Sequence, residues 1–254
     1  MWEIVEKTIS YDVVRVAVIS DIHANSLALK ACLVQVKALK VDRLVILGDL
    51  LTYGVDVNET IDLVCAEVDN GAVVVMGNHD KMYLDLAGGG ADYYDKLPDW
   101  LRESVALTYE ELNLNQFEHI PWQQEYELGK ILMAHANPYA FGDWTYLNSE
   151  HEISRARTTL ELRGFDVGVF GHTHRAFLDS SGITPWLANP GSLGQPRNSE
   201  KQSTFLTIEF EGSKPSGKIH QIEYRAEDHV SSLLRSDLSE STKQKLVGYF
   251  PSFS

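Results

Sequence analysis

The chain has 254 residues, of which 44% are hydrophobic, 23% charged and 10% aromatic. Such a composition excludes a disordered chain, a collagen-like chain and a coiled coil. The net charge of −14 is the wrong sign for a general nucleic-acid binder, which needs a basic excess. The N-terminal MWEIVEKTIS carries Glu3 and Glu6 where an export signal would be apolar, so no signal peptide is expected. The apolar runs are strand-sized and no membrane span is expected. Cys32 and Cys65 lie in apolar helical patterns and read as small buried hydrophobes in a reducing cytoplasm.

In chain order, Val13–Ser20 is β-branched, ends at Asp21 and predicts a buried strand. Asn25–Leu39 predicts a helix with Asn25 or Ser26 as its N-cap. Arg43–Leu47 predicts the next strand and Asn58–Val68 the next helix, capped by Asn58 and closed by Asn70-Gly71. Ala72–Met76 predicts a third strand. Strands alternating with helices imply right-handed crossovers and a parallel sheet.

Residues 81–128 predict a helical, aromatic insertion, with Gly88-Gly89-Gly90 as a flexible turn and Pro98 as a helix start. Lys130–Ala134 predicts a strand, and Ser149–Arg163 a helix that stops at Gly164. Short strands follow at Val167–Gly171, Ile183–Ala188, Thr204–Phe210 and Lys218–Tyr224. Turns at Ser181-Gly182, Gly212 and Ser216-Gly217 separate them, which suggests hairpins in a second sheet. Pro185 sits badly inside a strand. Residues 226–250 read as peripheral helices, and no linker divides the chain, so one domain over 1–254 is expected.

The ends of these strands carry the chemistry. Asp21-Ile22-His23 follows the first, Gly48-Asp49 the second and Gly77-Asn78-His79-Asp80 the third. Ala134-His135 and Gly171-His172-Thr173-His174 close two later strands. Ligands of open α/β sheets gather at the carboxyl ends of strands, so the five clusters can converge. In D-x-H and H-x-H, alternate residues leaving a strand point the same way and can share a metal. Taken singly, Asp21, Asn78 and Asp80 could be ordinary turn or cap residues. His119, His151, His220 and His229 lack such context and read as surface or packing residues.

In this order, D-x-H, G-D, G-N-H-D, a lone His and G-H-T-H resemble the calcineurin-like metallophosphoesterase superfamily. The stretch from Asn189 through Pro190-Gly191-Ser192 to Pro196-Arg197 resembles the NPGS–PR segment of its small bacterial phosphoesterase and phosphodiesterase members. The resemblance implies two facing mixed β-sheets flanked by helices, an α-β-β-α sandwich. It implies that Asp21, His23, Asp49 and His174 hold one metal, and Asp49, Asn78, His135 and His172 another. Mixed oxygen and nitrogen donors suit Mn, Fe, Zn, Co or Ni. His79 would act as general acid, with Asp80 either orienting it or capping the following helix. Asn78 and Arg197 would contact substrate, with Asn189 and Ser192 shaping the turn that aims Arg197.

Two departures stand out. Ala136 replaces the glycine that usually follows the lone histidine. Thr52 and Tyr53 stand where the superfamily's protein Ser/Thr phosphatases have Asp and Arg, which speaks against that activity. The expected function is metal-dependent hydrolysis of small phosphate esters, nucleotide-like phosphodiesters or polyphosphates, without long nucleic acid or membrane as a partner. A phosphomonoesterase, a short-oligonucleotide nuclease and a regulatory metal-binding protein without turnover are the alternatives. Aromatics are dense at 81–128 and 136–166, and Tyr139, Phe141 and Trp144 are expected to form a substrate-facing wall.

Overall fold

The structure, a computed structural model, describes residues 14–179, 182–211 and 214–252. Strand β1 (Val14–Ile19) has two buried faces, because parallel central strands are covered on both sides. Its Ala17 and Ile19 join the core beneath a layer of helices, whereas Val16 and Val18 pack toward a second sheet. Strand β2 (Arg43–Ile46) repeats this alternation with Leu44 and Ile46 on one side and Val45 on the other. Helices α1 (Ser26–Ala38) and α2 (Val57–Asp69) lie on the outer side, and β3 (Val73–Val75) completes the expected crossover series. Each fully buried Ile or Leu in these layers contributes roughly 1.5–3 kcal/mol.

After β3 the chain enters α3 (Asn78–Ala87), α4 (Asp99–Glu111) and the short α5 (Leu114–Glu118). Two short strands follow, β4 (Trp122–Gln123) beside β3 and β5 (Glu125–Leu128) beside β6 (Ile131–Ala134). Residue 124 therefore carries the chain from one sheet to the other. Helix α6 (Glu150–Arg163), β7 (Val167–Phe170), β8 (Phe177–Leu178), β9 (Trp186–Asn189), β10 (Thr204–Glu211) and β11 (Lys214–Gln221) follow. The described chain closes with α7 (Ala226–Arg235) and α8 (Glu240–Val247).

The six-stranded sheet runs β11-β10-β1-β2-β3-β4 and the five-stranded sheet β5-β6-β7-β9-β8. Both are mixed. In the first, β1 to β4 are parallel and β10 is antiparallel to β1. In the second, β6, β7 and β9 are parallel, with antiparallel edges. A third core of Leu132, Ala156, Leu160 and Phe170 seats α6 on the outside of the second sheet. The layers are thus helix, sheet, sheet, helix, as the resemblance implies.

Local details correct several expectations. Of the two caps expected for α1, Asn25 is the one used, its side chain accepting from Ala28 N at 3.0 Å. Asp56, not Asn58, is the N-cap of α2; Asn58 instead ties Glu111 and Asn113 to this helix. The helix ending at Gly164 is as expected, its cap residue left-handed at φ 82°. The strand expected over Ile183–Ala188 begins only after Pro185, which has no N–H for a ladder bond. Ser216-Gly217 is not a turn but lies inside β11. There Gly217 pairs with Ile208, and a Cβ would come within 2.8 Å of Leu178 from the facing sheet. Ser181, Gly212 and the N-terminal 13 residues lie outside the described residues.

Cys32 is buried, Cys65 half-buried, and both are free. His119 and His151 are exposed, His220 stacks on Phe205 and His229 packs against Phe250. Among the described residues, no helix is long and apolar enough to cross a membrane.

Candidate metal centre

Every motif from the sequence reaches one region at the carboxyl ends of β1, β2, β3, β6 and β7. Asp21, His23 and His174 form one group of potential ligands, and Asp49, His135 and His172 a second. All six are at most 4% exposed. In the first group, His174 Nε2 lies 3.1 Å from His23 Nε2 and 3.3 Å from Asp21 Oδ1. In the second, His135 Nε2 lies 3.4 Å from Asp49 Oδ2 and 3.2 Å from His172 Nδ1. Asn78 joins the second group, with Oδ1 at 3.1 Å from His135 Nε2. Tyr93 accepts from Asn78 Nδ2 at 2.9 Å, which turns the amide oxygen inward.

The outer nitrogens show what the inner ones are for. His23 Nδ1 donates to the Leu51 carbonyl at 2.9 Å and His174 Nδ1 to Gln195 O at 2.7 Å. His135 Nδ1 does the same to Leu47 O. His172 is reversed, its Nε2 donating to Trp144 O at 3.0 Å and its Nδ1 facing inward. With one N–H committed to the main chain, the inner nitrogens of His23, His172 and His174 are left with lone pairs, and that of His135 faces the Asp49 carboxylate. That is how metal-binding imidazoles are held in register. Asp21 Oδ1 is buried without a hydrogen-bond partner among the described residues, which a cation would satisfy. The donor set and this orphaned oxygen fit divalent transition-metal ions.

The backbone is bent to make the cluster. Asp21, His23, Asp49, His172 and His174 all have φ between 48° and 64°. Left-handed conformations cost non-glycine residues of order 1–3 kcal/mol each and collect at functional sites. Asp80 supports this geometry from behind. Its carboxylate accepts from Asp49 N at 2.7 Å, Leu50 N at 3.0 Å and Gly77 N at 2.9 Å. Of the two expectations for Asp80, its contacts serve the cap and the Asp49 turn, not the orientation of His79. The ring of His79 meets Tyr53 instead, whose hydroxyl lies 3.4 Å from Nε2, while its backbone N–H donates to Asp49 Oδ1 at 2.9 Å.

Charge in the cluster follows from burial and the central carboxylate. Burial pushes His23 and His172 down to about 3 and holds His174 well below its ordinary value, with Arg197 adding to the effect on His174. These imidazoles are neutral donors, the form a metal needs. Burial also pushes Asp21 and Asp80 up to about 7. Burial opposes charge on His135 as well, but the adjacent Asp49 carboxylate reverses this and raises it to about 9. The same contact holds Asp49 well below the usual carboxylate range against its own burial.

Around this centre, Tyr146 stacks on His172 with ring centroids 4.2 Å apart, and Tyr53 meets His23 edge-on at 4.6 Å. Trp144 meets His135 at 5.9 Å and Phe141 at 5.4 Å. Tyr139 lines a cavity together with Phe141 and Trp144, but its ring is also engaged by α6. Arg155 covers its ring at 4.0 Å and its hydroxyl turns to Glu152 on α6. Tyr53, Tyr93 and Tyr146 were not singled out by sequence as site residues. Tyr93 and Tyr146 had as their only signal the aromatic density of 81–128 and 136–166, and Tyr53 its place beside Thr52 after Gly48-Asp49. Arg197 Nη2 donates to Gln195 Oε1 at 2.8 Å, and its guanidinium lies over Tyr249 at 5.6 Å. Ser192 Oγ donates to Asp21 O at 2.7 Å, and Asn189 Nδ2 to Gly171 O at 2.7 Å, so both shape the turn as expected.

Residues 14–213 match the calcineurin-like phosphoesterase superfamily domain. The chain belongs to that superfamily. It is a metal-dependent phosphoesterase, with two clusters of candidate metal ligands. Two solved structures share the fold of this phosphoesterase. A metallophosphoesterase from Sphaerobacter thermophilus is 23% identical with a TM-score of 0.72, covering 94% of this chain and 100% of its own. The hypothetical protein PH1004 from Pyrococcus horikoshii is 21% identical with a TM-score of 0.76, covering 92% and 97%. The uncharacterized protein MJ0912 of Methanocaldococcus jannaschii is 26% identical over 251 residues, 91% of this chain and 96% of that protein.

Proposed function

We propose that this phosphoesterase hydrolyses small phosphate esters, nucleotide-like phosphodiesters or polyphosphates, at a two-metal centre carried by a single domain. Asp21, His23, Asp49 and His174 would hold one ion and Asp49, Asn78, His135 and His172 the other. The ions would be Mn, Fe, Zn, Co or Ni. The observation that carries this reading is the set of four imidazoles, each with one nitrogen fixed on a main-chain carbonyl and the other turned to a carboxylate or a second imidazole. When bound, two such ions neutralise the phosphoryl oxygens and acidify an attacking water.

The chain's own residues do the rest. Asp49 turns Oδ2 toward His135, its Oδ1 accepts from His79 N at 2.9 Å, and Asp80 fixes its backbone from behind. His79, 4% exposed and beside Tyr53, is placed to give a proton to the departing oxygen, while its burial keeps its affinity for that proton below the ordinary imidazole value. Arg197 supplies a guanidinium whose fork matches a phosphate, steadied by Gln195. The net charge of −14 opposes long nucleic acid, and the two free cysteines suit a reducing cytoplasm.

The test is a panel of substrates with each candidate metal: p-nitrophenyl phosphate, bis-p-nitrophenyl phosphate, cyclic nucleotides and dinucleoside polyphosphates. Metal-dependent turnover of diesters or polyphosphates supports the reading. Preference for the monoester makes this a phosphomonoesterase, and no turnover with any metal makes it a metal-binding protein without catalysis.

A further inference from the structure

Beside the metal centre lies a cavity of about 240 Å³ that shares His135 and Trp144 with it. We propose that this cavity is the subsite for a nucleobase-sized planar ring of the substrate. The proposal rests on the phosphoesterase reading above and chooses, within it, a nucleoside ester over a bare polyphosphate.

Three observations carry it. The first is position. His135 is a candidate metal ligand, so a group in the cavity is one residue away from the phosphoryl site. The second is shape. Phe141 and Trp144 stand at 81° with centroids 5.4 Å apart, and Met76 adds a third apolar surface. The volume is below the roughly 300–1,000 Å³ of sites that enclose a drug-sized ligand, so it suits one part of a substrate. Aromatic surfaces and a thioether are what a flat π-system gains most from.

The third observation is charge. Arg163 is the cation of this cavity, but it is already paired with Glu125, Nη2 to Oε1 at 2.6 Å and Nη1 to Oε2 at 3.0 Å. Asp143 adds a further carboxylate to the lining. A second phosphate would meet two carboxylates and one neutralised guanidinium. A neutral ring with exocyclic N–H donors would meet acceptors instead, and Gln124 adds an amide that can both donate and accept. The amide of Asn137 is not free for this role. Its nitrogen is bound to the carbonyls of Asp143 and Thr145, and its oxygen accepts from Tyr139 N. Asn137 instead holds the loop that carries Phe141 and Trp144.

The experiment uses the metal-loaded protein and two variants, Phe141→Ala and Gln124→Ala, with melting temperatures measured alongside. Binding of adenosine, which has no phosphate, is followed by saturation-transfer NMR. Hydrolysis of an adenosine phosphodiester and of glycerophosphocholine, which has no ring, is followed by 31P NMR. The proposal expects adenosine to bind the wild type and Phe141→Ala to weaken that binding and raise KM for the adenosine diester about ten-fold. The ring-free substrate should be affected less than two-fold. Gln124→Ala, an exposed change that leaves the packing alone, should weaken adenosine in the same direction. No adenosine binding to the wild type, or equal losses on both substrates, overturns the subsite. If neither diester is hydrolysed but adenosine binds and Phe141→Ala weakens it, the catalytic reading fails and the subsite stands.

Discussion

Gly77→Ala should damage the metal centre without unfolding the protein. Gly77 has φ −91° and ψ 177°, which alanine adopts freely, so the backbone itself raises no objection. The side chain does. A Cβ at this position would lie 2.2 Å from Asp49 Oδ1 and 2.6 Å from Asp49 N. To restore an ordinary 3.4 Å contact from 2.2 Å, the carboxylate must retreat by about 1.2 Å. Asp80, bound to Asp49 N and Leu50 N, resists that movement, so the strain is shared between ligand position and packing. Overpacking of this kind costs about 1–3 kcal/mol, or roughly 2–12 °C in Tm at this chain length. A displacement near 1 Å at a reacting centre costs about 10²-fold in rate. The assay is kcat with saturating metal, metal content by mass spectrometry, and thermal melting, with Gly90→Ala as the comparison. At Gly90 the nearest atom to a Cβ is Asp85 O at 3.4 Å, so little should change. A Gly77→Ala protein with wild-type turnover and full metal would refute the placement of Asp49 against this turn.

His79→Ala should retain both metals yet lose roughly 10²–10⁴-fold in rate on esters with poor leaving groups. It should lose far less on nitrophenyl esters, whose leaving group needs little proton help; equal losses on both classes would remove its role as acid. The pH dependence of stability should carry the mark of Asp56. Burial works to raise this carboxyl, but the facing His229 imidazole at 3.6 Å and the Ser26 hydroxyl and amide hold it below its ordinary 3.8. A depressed folded value means that its contribution is present above that ordinary value and is lost as pH falls through the folded one. Urea midpoints from pH 7 down to pH 3 should show Asp56→Asn destabilised at pH 7 and converging on the wild type in acid. A difference that stays constant with pH would show that the charge is irrelevant.

The parts of the fold that were legible in the sequence are those dictated locally. Val16, Val18, Val45 and Ile46 form continuous apolar runs because a parallel strand is covered on both faces, and turn residues mark where such runs end. The candidate ligands were legible for the same reason, since each follows a strand directly. The cap of α2 was misplaced by two residues because Asp56 and Asn58 are both competent caps and tertiary contacts choose between them. The two residues of β4 are too few to carry a period and the alternation in EYEL of β5 spans only four, so both pair because β3 and β6 offer edges. The aromatic shell was legible as a density, not as positions. Tyr139 turns to α6 because Arg155 and Glu152 bind it there, while Tyr146 lies on His172, and nothing within the loop's own sequence distinguishes the two.

The central claim is that the two clusters are one metal-dependent catalytic centre organised by Asp49. Its most direct measurement is metal content together with diester turnover in three samples: the wild type, the wild type after chelation and metal re-addition, and Asp49→Asn. The account predicts two ions per chain in the wild type, activity lost on chelation and restored on re-addition. It predicts that Asp49→Asn loses metal and at least about 10³-fold in turnover, several kcal/mol of transition-state stabilisation. Full activity in a thoroughly metal-free preparation, or a fully metal-loaded Asp49→Asn protein with wild-type turnover, would contradict it.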